Sequence, residues 1–159
     1  MSTAAQPQRQ EHTVNAVRLY EAPRERVFAA WTSAEHLAHW FGPRGFAIHS
    51  CEADARPGGV FRLCMRSPEG VDYWVRGSFR EVVAPGRLVI HCTADDARGV
   101  ERLHEVITVL LADEGGRTRL TLQATAAGAG PEAAQMLRGM ERGWSETLER
   151  LRERSNTIQ

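Results

Sequence analysis

The chain contains no lysine. Its 159 residues carry twenty basic side chains, and every one is arginine. A Schiff-base lysine, a phosphate-loop lysine and any side-chain amine nucleophile are therefore excluded outright. Excess charge of one sign is missing as well, because twenty Asp and Glu bring the formal net charge to zero. No overall field draws the chain to nucleic acid or to an anionic membrane surface, and neither is expected as a partner. Cysteine is scarce and odd in number (Cys51, Cys64, Cys92), which speaks against a disulfide framework and for reduced thiols. No apolar run approaches the roughly 20 residues of a membrane-spanning helix. The opening MSTAAQPQRQEH has no apolar stretch of the kind a secretory signal needs. The expected location is cytoplasmic. A G-x-S-x-G elbow is absent. So is a phosphate-binding glycine loop, since RPGG (56–59) and DEGG (113–116) join strands and do not lead from strand to helix. Asp95 and Asp96 lack the acidic partners of a calcium loop. No cofactor is implied.

What is present is an ordinary globular composition, 42% hydrophobic and 25% charged, which suits one packed domain. Residues 1–11 are small and polar and read as a disordered tail; the domain is expected over 12–155. HTVNAVRLY (12–20) alternates as a strand does. After Pro23, RERVFAAWT places Val27, Phe28 and Trp31 at helical spacing. Ser33 is an N-cap for a second short helix with His36 at N3, and Gly42-Pro43 stops it. From Gly45 to about Thr125 the pattern changes to six short strands, FAIHSCEAD, VFRLCMR, DYWVRGSFREVV, RLVIHCT, LHEVITVLLA and RTRLTLQAT, separated by turn residues. The stripe Leu137, Met140, Trp144, Leu148 and Leu151 then predicts one long helix from Pro131 to about Arg154. The expected fold is α+β: a seven-stranded curved antiparallel sheet in the order β-α-α-β6-α, wrapped around a long C-terminal helix.

The segments AWTSAEHLAHWFGPRGF, CEADARPGGVFRLCMRSPEGVDY, GSFREVVAPGRLVIH, DEGGRTRLTL and GMERGWSETLERL occur in an order and spacing that resembles the Aha-type family of homologues of the heat-shock-protein-90 ATPase activator. That family belongs to the START-like (SRPBCC, Bet v 1-like) helix-grip superfamily. The resemblance covers roughly residues 12–153. It implies the helix-grip fold with a central apolar cavity. It does not imply chaperone activation, because the additional domain of the chaperone activator has no counterpart in these residues. Fold alone does not settle function in a superfamily that hosts ligand binders, lipid carriers and cyclases.

Candidate chemistry is thin. His36 and His39 stand one helical turn apart but lack a third metal ligand. If RPGG centres its hairpin between residues 57 and 58, Cys51 and Cys64 face each other with His49 nearby. A disulfide, a metal clip or a redox pair are then conceivable beside two reduced apolar thiols. Ser145 and Glu146 have no histidine at helical spacing, and the Arg-Glu alternation of RERVF and LERLRERS reads as a solvated helix face. The interior remains. Alternation turns Phe61, Leu63 and Met65 inward against Arg62 and Arg66, since two buried unpaired arginines would be prohibitive. Tyr73, Val75, Phe79 and Ile90 follow by the same rule. Met136, Met140 and Trp144 face them from the terminal helix, and Trp40 and Phe41 form a lid. These twelve are the expected ligand contacts. The expected function is binding of a small hydrophobic or amphipathic molecule between sheet and terminal helix, in a stress or resistance setting. The chain is expected to be a monomer or homodimer. One alternative function is a protein–protein module such as a chaperone cofactor. A second is a cyclase- or hydrolase-like enzyme using Tyr73, His91, His104 or Glu105; catalysis is the less favoured reading.

Overall fold

The computed structural model describes residues 8–157. The elements are β1 (Arg9–Tyr20), α1 (Arg24–Thr32), α2 (Ala34–Trp40), β2 (Ala47–Ala53), β3 (Val60–Arg66), β4 (Asp72–Val83), β5 (Arg87–Asp95), β6 (Glu101–Glu114), β7 (Arg117–Ala129), α3 (Pro131–Arg138) and α4 (Met140–Thr157). All neighbouring strands are antiparallel, in the order β1-β7-β6-β5-β4-β3-β2. β1 is far from β2 in the sheet because α1 and α2 carry the chain across its inner face. The result is the expected α+β helix-grip fold.

β5, β6 and β7 run beyond their expected segments, to Asp95, Glu101–Glu114 and Ala129, and two further differences bear on the packing. β1 begins at Arg9, inside the stretch expected to be a tail, because Arg9, Gln10 and Glu11 pair with Ala129, Gly128 and Ala127 of β7. Backbone pairing of this kind needs no apolar side chain, so polarity concealed it. Residues 1–7 of that expected tail lie outside the described residues. The single long terminal helix is divided at Gly139, whose N–H bonds back to the carbonyl of Met136 at 3.2 Å. Glycine is a poor helix former, and the apolar stripe runs across the break unchanged.

The inner face buries Phe61, Leu63, Leu88, Ile90, Ile107, Val109, Leu120 and Leu122. Fully burying each such side chain contributes about 1.5–3 kcal/mol. α4 packs most closely on β1, α1 and α2. Its second half is fixed there: Leu148 and Leu151 are buried, and the Tyr20 hydroxyl donates to the Leu148 carbonyl at 2.9 Å. Arg152 donates to the Leu19 carbonyl at 2.8 Å and lies over the Tyr20 ring. Its first half, with α3, stands away from β3–β5. On the outer face Arg62 and Arg76 stack on Trp74, 4.6 and 5.1 Å from its ring centre, which is where the arginines excluded from the core go.

The candidate site: an apolar cavity with Glu105 on its wall

Between the first half of α4, the end of α3, the loop after α2 and the inner faces of β3–β6 lies a cavity of about 310 Å³. Its mostly apolar wall is contributed by separate elements. Phe41 and Phe46 flank the glycine-proline loop, Met65 comes from β3, Tyr73 and Val75 from β4, and Leu103 from β6. Met136 and Met140 come from the two sides of the helix break, with Trp144 one turn further on. Gly139 and Gly143 also line the space. They lie four residues apart, Gly139 at the α3–α4 break and Gly143 in the first turn of α4, and two missing side chains there leave part of the room.

Of the twelve expected ligand contacts, Phe41, Met65, Tyr73, Val75, Met136, Met140 and Trp144 lie on this wall. The other five do not. Trp40, Phe61, Leu63, Phe79 and Ile90 are fully buried in packed core. Trp40 donates its indole N–H to the Ala30 carbonyl at 2.9 Å and stands edge-on to Trp31 at 4.8 Å. Phe61 is wedged between Phe41 and Phe79, at 5.7 and 5.5 Å. An inward direction on a strand favours reaching the cavity. It is not sufficient, because the cavity exists only where the helix layer lifts off the sheet.

Glu105 is the chemical exception on the wall. β6 alternates Leu103, Glu105, Ile107, Val109 and Leu111 on its inner face, and the four aliphatic members are buried. The Trp144 indole N–H donates to Glu105 Oε2 at 3.2 Å. Burial pushes the Glu105 carboxyl up to about 7, and the Trp144 hydrogen bond offsets this only in part. The side chain keeps some accessible surface, since it borders the open cavity, yet the dense protein around it supplies little of the solvation that water would. The neighbouring Cys92, its register partner on β5, is buried, and burial raises its thiol well above the ordinary range. Asp95 closes one end of the wall and is ion-paired with Arg76. Next to it, Asp96 orders the turn by accepting from the backbone N–H groups of Arg98 and Val100 and from Arg102.

The enzyme candidates divide accordingly. Tyr73 and Glu105 reach the cavity. His104 pairs with Glu101 at 3.1 Å on the exposed surface, and His91 alternates outward between the inward Ile90 and Cys92, so neither lines the cavity. The expected facing of Cys51 and Cys64 is corrected. The register is Cys51 with Leu63 and Ser50 with Cys64, which puts the two sulfurs on opposite faces of the sheet. The hairpin centres on Pro57, not between 57 and 58, as the bond from Asp54 N–H to the Val60 carbonyl shows. All three cysteines are free thiols. His36 sets its Nδ1 2.8 Å from the Arg154 guanidinium; burial and that cation lower its pKa. Glu105 was legible as a lone acid on an apolar alternation. Its partner Trp144, 39 residues away, was not.

The loop over the cavity is held from behind. Arg150 donates to the carbonyls of Phe41, Gly42 and Pro43, at 3.4, 3.0 and 3.1 Å, and to that of His39. The Arg44 backbone N–H donates to Glu146 at 3.2 Å. Among the described residues no helix is long and apolar enough to cross a membrane.

Known proteins share this fold. The family model described as Activator of Hsp90 ATPase homolog 1-like protein matches residues 21–156. A crystal structure of a protein from Chromobacterium violaceum superposes with a TM-score of 0.76 at 25% identity, over 89% of this chain and 94% of that one. A protein from Rhizobium leguminosarum gives 0.81 at 21% identity, over 94% and 97%. The AHSA1 protein of Silicibacter pomeroyi gives 0.74 at 21% identity, over 89% and 96%. No curated protein matches the chain.

Proposed function

Since the chain belongs to the family of Activator of Hsp90 ATPase homolog 1-like proteins, whose fold is compatible with ligand binding or with a chaperone-related role, we propose that it binds a small, largely apolar molecule between the sheet and α3–α4. The observation that carries this reading is an apolar cavity of about 310 Å³ with a hydrogen-bonded carboxyl on its wall. That volume falls within the range of small-molecule sites. Affinity would come from removing apolar ligand surface from water, and orientation from Glu105 and the Tyr73 hydroxyl. Met65, Met136 and Met140, flexible and polarizable, suit a wall that adjusts to its occupant.

The protein-interaction reading has less behind it. The exposed large apolar side chains among the described residues are Val17, Val60, Val83, Val100, Val106 and Leu110, with no aromatic anchor of the kind that dominates interfaces. Of the catalytic candidates only Tyr73 and Glu105 border the cavity. The Glu105 neighbour Cys92 is kept as a neutral thiol by burial, and a neutral thiol is a poor nucleophile.

The test is thermal melting of the purified protein against a panel of small neutral aromatic and alicyclic molecules, repeated with Met136→Trp, which fills the cavity. Stabilisation by some members that disappears in Met136→Trp is expected. If no member stabilises, or if Met136→Trp leaves the stabilisation intact, the proposal fails.

A further inference from the structure

Granting the ligand site proposed above, we infer that its occupant is an organic amine, held as an ammonium ion against Glu105 and the aromatic rings of the cavity wall. The chain has twenty arginines and six histidines, yet none of them lines the cavity; its only ionisable acids there are Asp95 and Glu105. A carboxylate or phosphate ligand would be buried beside like charge with no counter-ion, which is strongly unfavourable. A buried ammonium would find its counter-ion in place.

The two acids are not equivalent. Asp95 is already neutralised by Arg76, which approaches from outside the wall. Glu105 has only the Trp144 N–H, on Oε2, so Oε1 has no donor among the described residues. An ionised carboxylate can accept about four hydrogen bonds, which leaves room for ammonium N–H groups. The rings of Phe41, Phe46, Tyr73 and Trp144 line the same cavity, and aromatic faces attract a desolvated cation. The Tyr73 hydroxyl, on the same wall, offers a second acceptor.

Binding is then linked to a proton. Empty, the site leaves Glu105 partly protonated near neutrality, because burial disfavours its charge. A cation beside it restores the charged form, so amine binding below about pH 7 releases a proton and weakens as the pH falls. The other titratable or charged groups on or beside the wall are Cys92, the register partner of Glu105 on β5, Asp95 with its Arg76 partner, and Tyr73 from β4. α3, α4 and β7 present Gln135, Met136, Met140, Trp144, Thr147 and Ala126, none of which titrates.

The experiment compares three near-isosteric probes, 2-phenylethylamine, 2-phenylethanol and phenylacetate, by titration calorimetry at about pH 8. The amine should bind about tenfold or more tighter than the alcohol, and phenylacetate weakest, in keeping with one desolvated charge pair. Glu105→Gln should bring the amine to the alcohol's affinity, and a circular dichroism spectrum and melting transition like those of wild type show separately that the variant is folded. Near pH 5.5 the wild-type preference for the amine should shrink. If the alcohol binds as tightly as the amine, or if Glu105→Gln leaves the preference intact, the amine inference is overturned and the ligand site stands. If none of the three binds, the amine inference is overturned, and the ligand site is decided separately by the melting panel.

Discussion

Glu105 sits where Leu103, Ile107, Val109 and Leu111 say an aliphatic residue belongs. Its carboxyl is raised from an ordinary 4.5 to about 7, so between those values the folded protein holds a proton that the unfolded chain has lost. Stability from this group is therefore fully present below about pH 4.5 and is lost as the pH rises through about 7. The change is at most roughly 3 kcal/mol, and less because the side chain keeps some exposure. Urea denaturation of wild type and Glu105→Gln at about pH 5 and pH 8 isolates it. The wild type should lose ground against the variant at the higher pH, and a constant difference would contradict the assignment. Trp144→Phe separates ring from donor. It keeps the aromatic packing against Phe41 and Trp31 but removes the bond that lowers the Glu105 pKa. The carboxyl titration, followed by infrared difference spectroscopy, should move upward; an unmoved or lowered titration would show that the indole N–H does not matter. The acid itself was visible in the sequence as an exception to alternation. Its pKa was not, because desolvation depends on what α4 brings opposite.

Among the elements, β3 and β4 match their sequence segments to the residue, VFRLCMR and DYWVRGSFREVV, since turns on both sides and strict alternation fix them locally. The β2–β3 hairpin was found but its register was one residue off, and that moved Cys51 and Cys64 to opposite faces. A period of two allows no smaller error. The turn makes a sharp prediction about its two glycines. Gly58 has φ +83° with open space around its Cβ position, so Gly58→Ala should cost about 1–2 kcal/mol from backbone strain alone. At Gly59 an added Cβ would fall 1.8 Å from the Asp54 carbonyl oxygen, and Gly59 also accepts from the Phe79 N–H at 2.9 Å. Gly59→Ala should therefore be clearly worse than Gly58→Ala in chemical denaturation, and the reverse order would refute this account of the hairpin. The helix break at Gly139 was missed because Leu137, Met140 and Trp144 keep their spacing across it. A mild interruption that preserves the apolar face leaves no trace in periodicity.

The whole molecule is a sheet whose helix layer is bolted down at one end and raised at the other. The bolt is the set of contacts made by Tyr20, Leu148, Arg150 and Arg152. Arg150→Met keeps the aliphatic stem but abandons the carbonyls after α2. It should cost about 1–3 kcal/mol and speed amide exchange across residues 41–46 more than in β6 or β7; uniform exchange would refute a local clamp. The sequence by itself determined the strand count, the antiparallel order, the helix-grip architecture and which side chains point inward, because alternation, caps and turn residues are local properties of the chain. Tertiary structure alone decided that seven of the expected contacts line a space and that Trp40, Phe61, Leu63, Phe79 and Ile90 are packed solid. It alone paired Glu105 with Trp144 and kept every arginine off the cavity wall. A cavity is a failure of two distant surfaces to touch, and no stretch of one strand or helix contains that information.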